Sequence, residues 1–492
     1  MKQNYFNLAR CAAAFLLTLF ALPAVAQEFS SGSGTASDPY IITNRTQLET
    51  ELATFAAADI TGYYFKLGND IDLSGADWQI LDTWQCSLDG DGHKITGLKI
   101  NKDAGQTSTT TQSRGFFSKA GRGAVIKNLI FENAQVNITD GAGSANAGAL
   151  VGYIDARGSV NSDVLIENVH FKNLTLTNNA QKNAYTGGIV GNIRDFSAAS
   201  ITINRCSVQG TISGSLSFAG GIAGLVADAT KVGGSTTISN CSTDVDITTT
   251  RTTEELVYLG GIVGAPNQIG DGENVYDQII IEKNLAAGKI SAPINKEARL
   301  GGIAGFILCT TYASDNLVTL TNNVAAQTTI TNPDGRSHRI FGAHSAGGKY
   351  VAENNLAYDN LLINGVKETA NGDSIGTSKT SAQLMQKATY VALGWDMDNV
   401  WDITEGSTMP WLRDFSGTGI QAVAAAQTLK AVAAGGLLKI SGYALGQTVT
   451  VYNAHGIPVY SRKAAGETVS VKLPAHGVYI VSAGNQKAKV LF

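Results

Sequence analysis

The chain has 492 residues, a formal net charge of −4 and 15% charged residues, with 43% hydrophobic residues and 55 glycines. That balance excludes a strongly cationic surface of the kind that recognises nucleic acid or an anionic membrane. Low charge, abundant glycine and many β-branched residues favour an all-β chain with tight turns.

Lys2 and Arg10 flank the start of an apolar run over residues 12–22, Pro23 ends it, and Ala24-Val25-Ala26 fits the small-x-small cleavage rule. This predicts a secretory signal peptide over residues 1–26, too short in its apolar core to span a bilayer. Removing its two positive residues and no acid takes the charge from −4 to −6. No later stretch is long and apolar enough to predict a transmembrane helix, so the processed chain is expected to be secreted or at the outer-membrane surface. Cys86, Cys206, Cys241 and Cys309 remain, either to pair in an oxidising compartment or to lie as buried thiols, and no close spacing resembles a metal knuckle.

Residues 27–110 are expected to form an N-terminal cap and the first coils of a repeat array. Asn44 or Thr46 would cap a helix carrying Leu48, Leu52 and Phe55 at helical spacing. Strands are predicted at 63–67 and 70–73, and a turn between two short strands at 88–95. Residues 111–365 then repeat. Gly148-Ala149-Leu150-Val151-Gly152 is followed by pentads running from Gly187 to Gly191, Gly220 to Gly224, Gly260 to Gly264 and Gly301 to Gly305. A spacing of roughly 33–41 residues indicates a solenoid, a propeller or an array. Degenerate copies begin at Gly115 and at Arg339, the latter aligned with Arg299.

A second repeated element, roughly alternating apolar and polar, carries Asn128, Asn168, Asn240, Asn284, Asn323 and Asn355, with Arg205 interrupting the series. Three short strands per repeat and no helix between them predict a parallel β-helix, with roughly eight coils stacking at about 4.8 Å into a rod of about 40 Å. A propeller blade would need four strands. The pentad glycines would supply φ > 0 or let backbones approach closely. The asparagines would stack as one ladder at a turn.

Beyond Ile363 the pattern fades. Residues 366–417, with Trp395, Trp401 and Trp411, are expected to cap the β-helix by plugging its open core. Residues 418–427 resemble a linker, and 428–492 hold six short strands expected to form a small antiparallel β-sandwich.

The glycine pentads, together with Leu88-Asp89-Gly90-Asp91-Gly92-His93-Lys94-Ile95 and the Gly394-Trp395-Asp396, Trp401 and Pro410-Trp411-Leu412 ending, resemble GLUG-type repeat regions of bacterial secreted and surface proteins. The resemblance covers about residues 33–415. It implies a pectate-lyase-like right-handed β-helix and no particular activity. The tail, through Val451-Tyr452-Asn453-Ala454-His455-Gly456, Leu473-Pro474-Ala475-His476-Gly477-Val478-Tyr479 and Lys489-Val490-Leu491-Phe492, resembles the C-terminal sorting domains of Bacteroidetes secreted proteins. That likeness implies export across the outer membrane by a type IX-like route.

No catalytic constellation emerges. No acid or base recurs at equivalent strand positions, and no nucleophile elbow, phosphate loop or zinc-protease helix is present. Asp89 and Asp91 are weak calcium candidates set against a structural turn. Asp70 and Asp72 read as solvated. His338 and His344, six apart, have no metal-ligand spacing. No cofactor is implied. The expectation is a non-catalytic adhesin or ligand-binding scaffold whose partner is a glycan, a host surface or a cell-envelope protein. The alternatives are a polysaccharide lyase or glycoside hydrolase on the same fold, and a passive envelope component. The inserts at 107–113, 141–147 and 265–276 would line a binding edge.

Overall fold

The structure is a computed structural model that describes residues 29–103, 111–155, 163–195, 199–228, 234–252, 255–268, 278–293, 295–309, 318–347, 349–370, 372–413, 429–434, 437–441, 443, 447–463, 468–483 and 486–492. The expected signal peptide and linker lie outside these residues. The chain divides into two units, Met1–Leu412 and Arg413–Phe492.

The first unit is a parallel β-solenoid whose coil has five strands, not three. In one coil, residues 164–167 form the first strand, Asn168 bends the chain into 170–172, and Asn173 bends it again into 175–178. After a turn come Ala184–Gly187 and Val190–Asp195. Each strand pairs in parallel with the next coil: Leu165 with Thr202, Phe171 with Val208, Thr175 with Thr211, Tyr185 with Phe218 and Val190 with Ala223. Five ladders therefore run along the solenoid. The fourth has seven strands and the fifth eight. The first ladder is longer, ten parallel strands from Tyr40–Ile42 to Tyr350–Glu353, and its nine steps span about 43 Å at the usual strand spacing, close to the expected rod.

The bend between the first and second ladders explains the asparagines. Asn128, Asn168, Arg205, Asn240, Lys283, Asn322 and Asn354 occupy it in successive coils, all with φ between 51° and 59°. Asparagine tolerates this left-handed region better than most residues, because its short amide hydrogen-bonds locally. The following residue points inward: Leu129, Val169, Cys206, Cys241, Asn284, Asn323 and Asn355 are all buried. The six asparagines expected in one ladder thus fall into two neighbouring columns, and Arg205 is a full member of the bend column.

The inward column has its own chemistry. Asn284 Nδ2 donates to Ile238 O at 3.0 Å, Asn323 Nδ2 to Ile281 O at 2.9 Å and Asn355 Nδ2 to Leu320 O at 2.8 Å. Each amide oxygen also accepts from the preceding coil: Asn355 Oδ1 from Asn323 N at 3.0 Å, Asn323 Oδ1 from Asn284 N at 3.1 Å, and Asn284 Oδ1 from Cys241 N at 2.8 Å. The bend interrupts the β-ladder, and these amides satisfy backbone groups the ladder leaves open. Cys206 and Cys241 point at the corresponding carbonyls of Ile166 and Ile203, at 3.8 and 3.7 Å.

None of the ten pentad glycines that begin and end the repeats has positive φ. Their reason is close approach. A Cβ on Gly260 would lie 2.0 Å from Val263 O and 2.7 Å from Ile303 O of the next coil. The pentad is the corner at which the chain leaves the fourth ladder and enters the fifth, and only hydrogen fits inside it.

Inward side chains fill one continuous core, with aromatic stacks such as Phe131 on Phe171 at 4.5 Å and Trp84 on Phe117 at 5.0 Å. Helical turns Gln47–Glu51 and Leu52–Phe55 bury Leu48, Leu52 and Phe55 in that core near its N-terminal end. Asn44 Oδ1 accepts from Gln47 N at 3.1 Å, whereas Thr46 makes no capping bond.

The C-terminal end is closed by polar residues rather than by the tryptophans. Ile340 N donates to Ser374 O at 2.9 Å, strand Thr377–Lys379 adds to Leu356–Tyr358, and Arg339 is fully buried. Its guanidinium donates to Ser378 Oγ at 2.8 Å, Gly376 O at 3.2 Å and Ala370 O at 3.3 Å. The aromatic segment lies along the side of the solenoid. Trp395, Trp401, Tyr390 and Leu412 pack with Leu285, Val324 and Leu356 of the second ladder. Trp395 Nε1 donates to Asn322 O at 2.9 Å and Trp401 Nε1 to Asn240 Oδ1 at 3.5 Å, two coils earlier. Those second-ladder positions are apolar in the later coils, while Ser207 and Ser242 hold them in earlier ones. An outward apolar strip needs a cover, and this segment supplies it.

The second unit has two antiparallel sheets. Lys430–Ala434, Leu437–Ser441 and Thr468–Val471 form one; Pro458–Lys463, Thr448–Tyr452, Val478–Ala483 and Gln486–Leu491 form the other. Leu438, Ile440, Val451 and Val481 share a core between them. Lys430–Ala434 is a strand that the sequence pattern did not suggest.

Candidate functional site

The corner made by the glycine pentads places two outward columns face to face. On the fourth ladder the outward residues are Ser113, Asn146, Tyr185, Phe218, Tyr258, Arg299 and Arg336, one per coil. On the fifth they are Tyr153, Asn192, Leu225 and Ala265, then Phe306 beside Ala343. Contacts cross the corner. Asn192 Nδ2 donates to Asn146 Oδ1 at 3.1 Å, and Tyr258 stacks on Phe306 at 4.7 Å. Leu225, Tyr258, Ala265 and their half-buried neighbours Tyr185, Phe218 and Phe306 thus make a small apolar cluster outside the main core.

Towards the C-terminal end the aromatic column gives way to arginine, and the corner opens into a cavity of about 860 Å³. Arg299, Arg336 and His338 line it from the fourth ladder, Phe306, Ala343 and His344 from the fifth, Tyr350 from the first, and Asp373 and Ser374 from the closing segment. Arg336 stacks directly on Arg299 in parallel register. Arg299 Nη1 donates to Lys296 O at 2.8 Å and Ala298 O at 2.9 Å, and its Nη2 lies 3.3 Å from Glu297 Oε2. These contacts fix the orientation of that guanidinium. Arg336 is exposed on the cavity wall.

His338 Nδ1 lies 2.6 Å from Glu368 Oε1, and Glu368 Oε2 is buried with no hydrogen-bond partner among the described residues. His344 Nδ1 donates to Ser345 O at 2.9 Å, and its ring lies 4.9 Å from Tyr350. Burial, reinforced by the charges of Asp373 and Cys309, raises the Tyr350 phenol above its ordinary range. Behind the wall, Ser345 Oγ donates to Cys309 O at 2.6 Å and accepts from Cys309 N at 2.9 Å. Burial pushes the Cys309 thiol up to about 12. The cavity therefore combines two arginines, aromatic rings, two imidazoles and one carboxylate, all on or beside strands.

His338 and His344, which looked incidental in the sequence, meet on this cavity. The last repeat aligns with the one before it at Arg336 on Arg299, and Gly302 N donates to Arg339 O at 3.1 Å. Pairing Arg339 with Arg299 was off by three residues, which hid both the arginine pair and the imidazoles. Aligning Gly342 with Gly305 would have revealed them.

The other candidates resolve locally. Asp89 Oδ1 accepts from Asp91 N at 2.9 Å and Asn128 Nδ2 at 2.8 Å, while Lys127 and Lys66 pair with Asp89 and Asp91 at 3.2 and 2.8 Å. Those carboxylates serve a turn and two ammonium groups. Asp70 binds His93 at 3.1 Å, and Asp72 accepts from Ser74 N and Oγ, both at 2.8 Å. Ser74's backbone and hydroxyl hydrogen bonds hold the Asp72 carboxyl below its usual range. Charged residues do recur at equivalent positions, contrary to expectation: Lys66, Asp89, Lys127 and Glu167 follow one another in the first ladder. They alternate in sign; Lys127 pairs with Asp89 along the column, whereas Lys66 pairs with Asp91 in the turn and Glu167 Oε1 accepts from Asn204 Nδ2 at 3.1 Å.

Among the described residues no group of three or more His, Cys, Asp or Glu side chains is placed to hold a metal ion. The four described cysteines are free and buried. Burial, reinforced by Cys206, raises the Cys241 thiol well above its usual range. The expected binding inserts are partly strand, at Thr111–Arg114, Ser144–Gly148 and Val263–Gln268. The remainder of the first and third, residues 107–110 and 269–276, lies outside the described residues.

No family model matches the chain. It is 30% identical over 179 residues to halomucin of Haloquadratum walsbyi, a match covering 33% of this chain and 2% of that protein. It is 27% identical over 158 residues to a "Putative Gly-rich membrane protein" of Evansella cellulosilytica, covering 28% of this chain and 17% of that one. The chain thus spans a small fraction of either relative. The crystal structure of a "putative immunoglobulin A1 protease" from Bacteroides ovatus superposes with a TM-score of 0.46 and 22% identity, over 79% of this chain and 96% of that one.

Proposed function

We propose that the chain is an exported surface or secreted β-solenoid that binds a saccharide without altering it, in the cavity beside Arg336. The cavity carries this reading. It is large enough for a sugar unit or two, it is open to solvent, and its walls mix aromatic faces with polar groups held on strands. The apolar run and cleavage pattern over residues 1–26, and a relative named as a membrane protein, support a place outside the cytoplasm. The GLUG-type pentads and the sorting-like tail support the same reading.

The test is a glycan array probed with the purified full-length chain, together with cell fractionation. Saccharide binding and an envelope or medium location are expected. Failure to bind any saccharide would remove the proposal. One observation favours a second reading as a polysaccharide lyase or hydrolase: the 2.6 Å His338–Glu368 pair beside two arginines could orient a base. Release of unsaturated or reducing sugars from a polymer the chain binds would establish it, and their absence would leave the non-catalytic scaffold.

A further inference from the structure

Resting on the saccharide-binding reading, we propose that the ligand is an acidic sugar, and that Arg336 and Arg299 hold its carboxylate or sulfate while hydroxyls face Asp373. Three observations carry this. First, the two arginines are stacked in register on neighbouring strands, so their guanidinium groups leave the backbone about one strand spacing apart. Arg299 is oriented by the Lys296 and Ala298 carbonyls, and its charge is shared with Glu297. Arg336 has no ion pair among the described residues and projects from an exposed position, so it brings the uncompensated charge. A planar guanidinium suits an oxyanion with two acceptor oxygens.

Second, the lining also holds an acid. Asp373 lines the same cavity. A carboxylate there repels phosphate chains and other polyanions at close range but accepts hydrogen bonds from hydroxyl groups. A monoanion rich in hydroxyls satisfies the arginines and the carboxylate at once. Third, Phe306 and Tyr350 are half-buried at the cavity, with Tyr350 braced against Phe341 at 5.4 Å and His344 at 4.9 Å. Ring faces fixed in this way suit the apolar C–H face of a pyranose. An aliphatic acid or a simple anion would leave them unused.

The experiment compares full-length chain with Arg336→Gln and Arg299→Gln on a panel of uronate-bearing, sulfated and neutral glycans, the neutral set including carboxyl-reduced forms of the uronates. Circular dichroism of each variant confirms an intact fold. Arg336 is exposed, and replacing it removes no core contact. The expected result is binding concentrated among acid-bearing sugars, weakened about tenfold or more by Arg336→Gln and by raised salt. Comparison of the uronate and sulfate arms then distinguishes the source of the charge. Equal binding of neutral and acidic forms, or full affinity in the Arg336 variant, would overturn the acidic-sugar inference while leaving saccharide binding intact. Binding to no saccharide would remove both.

Discussion

Replacing Asn323 with alanine tests the account of the bend. The side chain is fully buried. Its loss removes the acceptor for Asn284 N at 3.1 Å and the donor to Ile281 O at 2.9 Å, and it breaks the amide contacts to Asn284 and Asn355 at 3.0 Å each. Two buried backbone groups are left unpaired. At about 1–3 kcal/mol each, the cost is about 2–6 kcal/mol, before any contribution from the space left behind. Urea unfolding of the full chain, followed by circular dichroism, measures this as a shift in midpoint at constant slope. Asn322→Gly is the control one residue away. It relaxes a residue at φ 58°, leaves the inward amides in place and is expected to change stability by about 1 kcal/mol or less. A cost below about 1 kcal/mol for Asn323→Ala would refute the view that inward amides complete the interrupted ladder.

Further predictions concern other parts of the fold. Gly260→Ala would place a Cβ 2.0 Å from Val263 O, so the variant should express poorly or unfold at a much lower temperature, whereas Gly62→Ala, with open space around it, should cost about 1 kcal/mol; equal melting temperatures would contradict the close-packed corner. Burial alone would raise the Glu49 carboxyl, but hydrogen bonds from Arg45 and Gln79 N and the charge of Arg45 hold it below its usual 4.5. A depressed folded value means that Glu49 contributes stability above about pH 4.5 and loses it as pH falls through the lower folded value. Glu49→Gln should therefore narrow the stability difference between neutral and acid pH in denaturant titrations, and an unchanged difference would count against this linkage. With its thiol raised to about 12, Cys309 should resist alkylation at pH 8 in the folded chain and react on unfolding, as peptide mass mapping would show; rapid labelling of the folded chain would contradict its burial.

The solenoid was legible in the sequence because the glycine pentads recur at one place in every coil, and close backbone approach tolerates no side chain there. The five-strand coil was not, because its bends fall inside what reads as continuous alternation: Asn168 and Asn173 sit within one stretch from Val164 to Ala180. The asparagine columns were blurred by the same bend, since Asn322-Asn323 and Asn354-Asn355 place one amide at the bend and the next inside. The tryptophan segment was legible as a packing unit but not in position. Its docking strip, Leu285, Val324 and Leu356, is scattered over three repeats. The cavity was hidden for a related reason. Arg299, Arg336, His344 and Asp373 are far apart in the chain and converge only when the register of the last coil is fixed and the fourth and fifth ladders are known to face each other.

Hydrogen–deuterium exchange of the full-length chain, with and without the glycan it binds most tightly, tests the placement of function in this cavity most directly. The account predicts slowed exchange in peptides covering residues 336–347 and 372–376, with little change in the strands of the second unit. Protection confined to other segments, with these peptides unaffected, would contradict it.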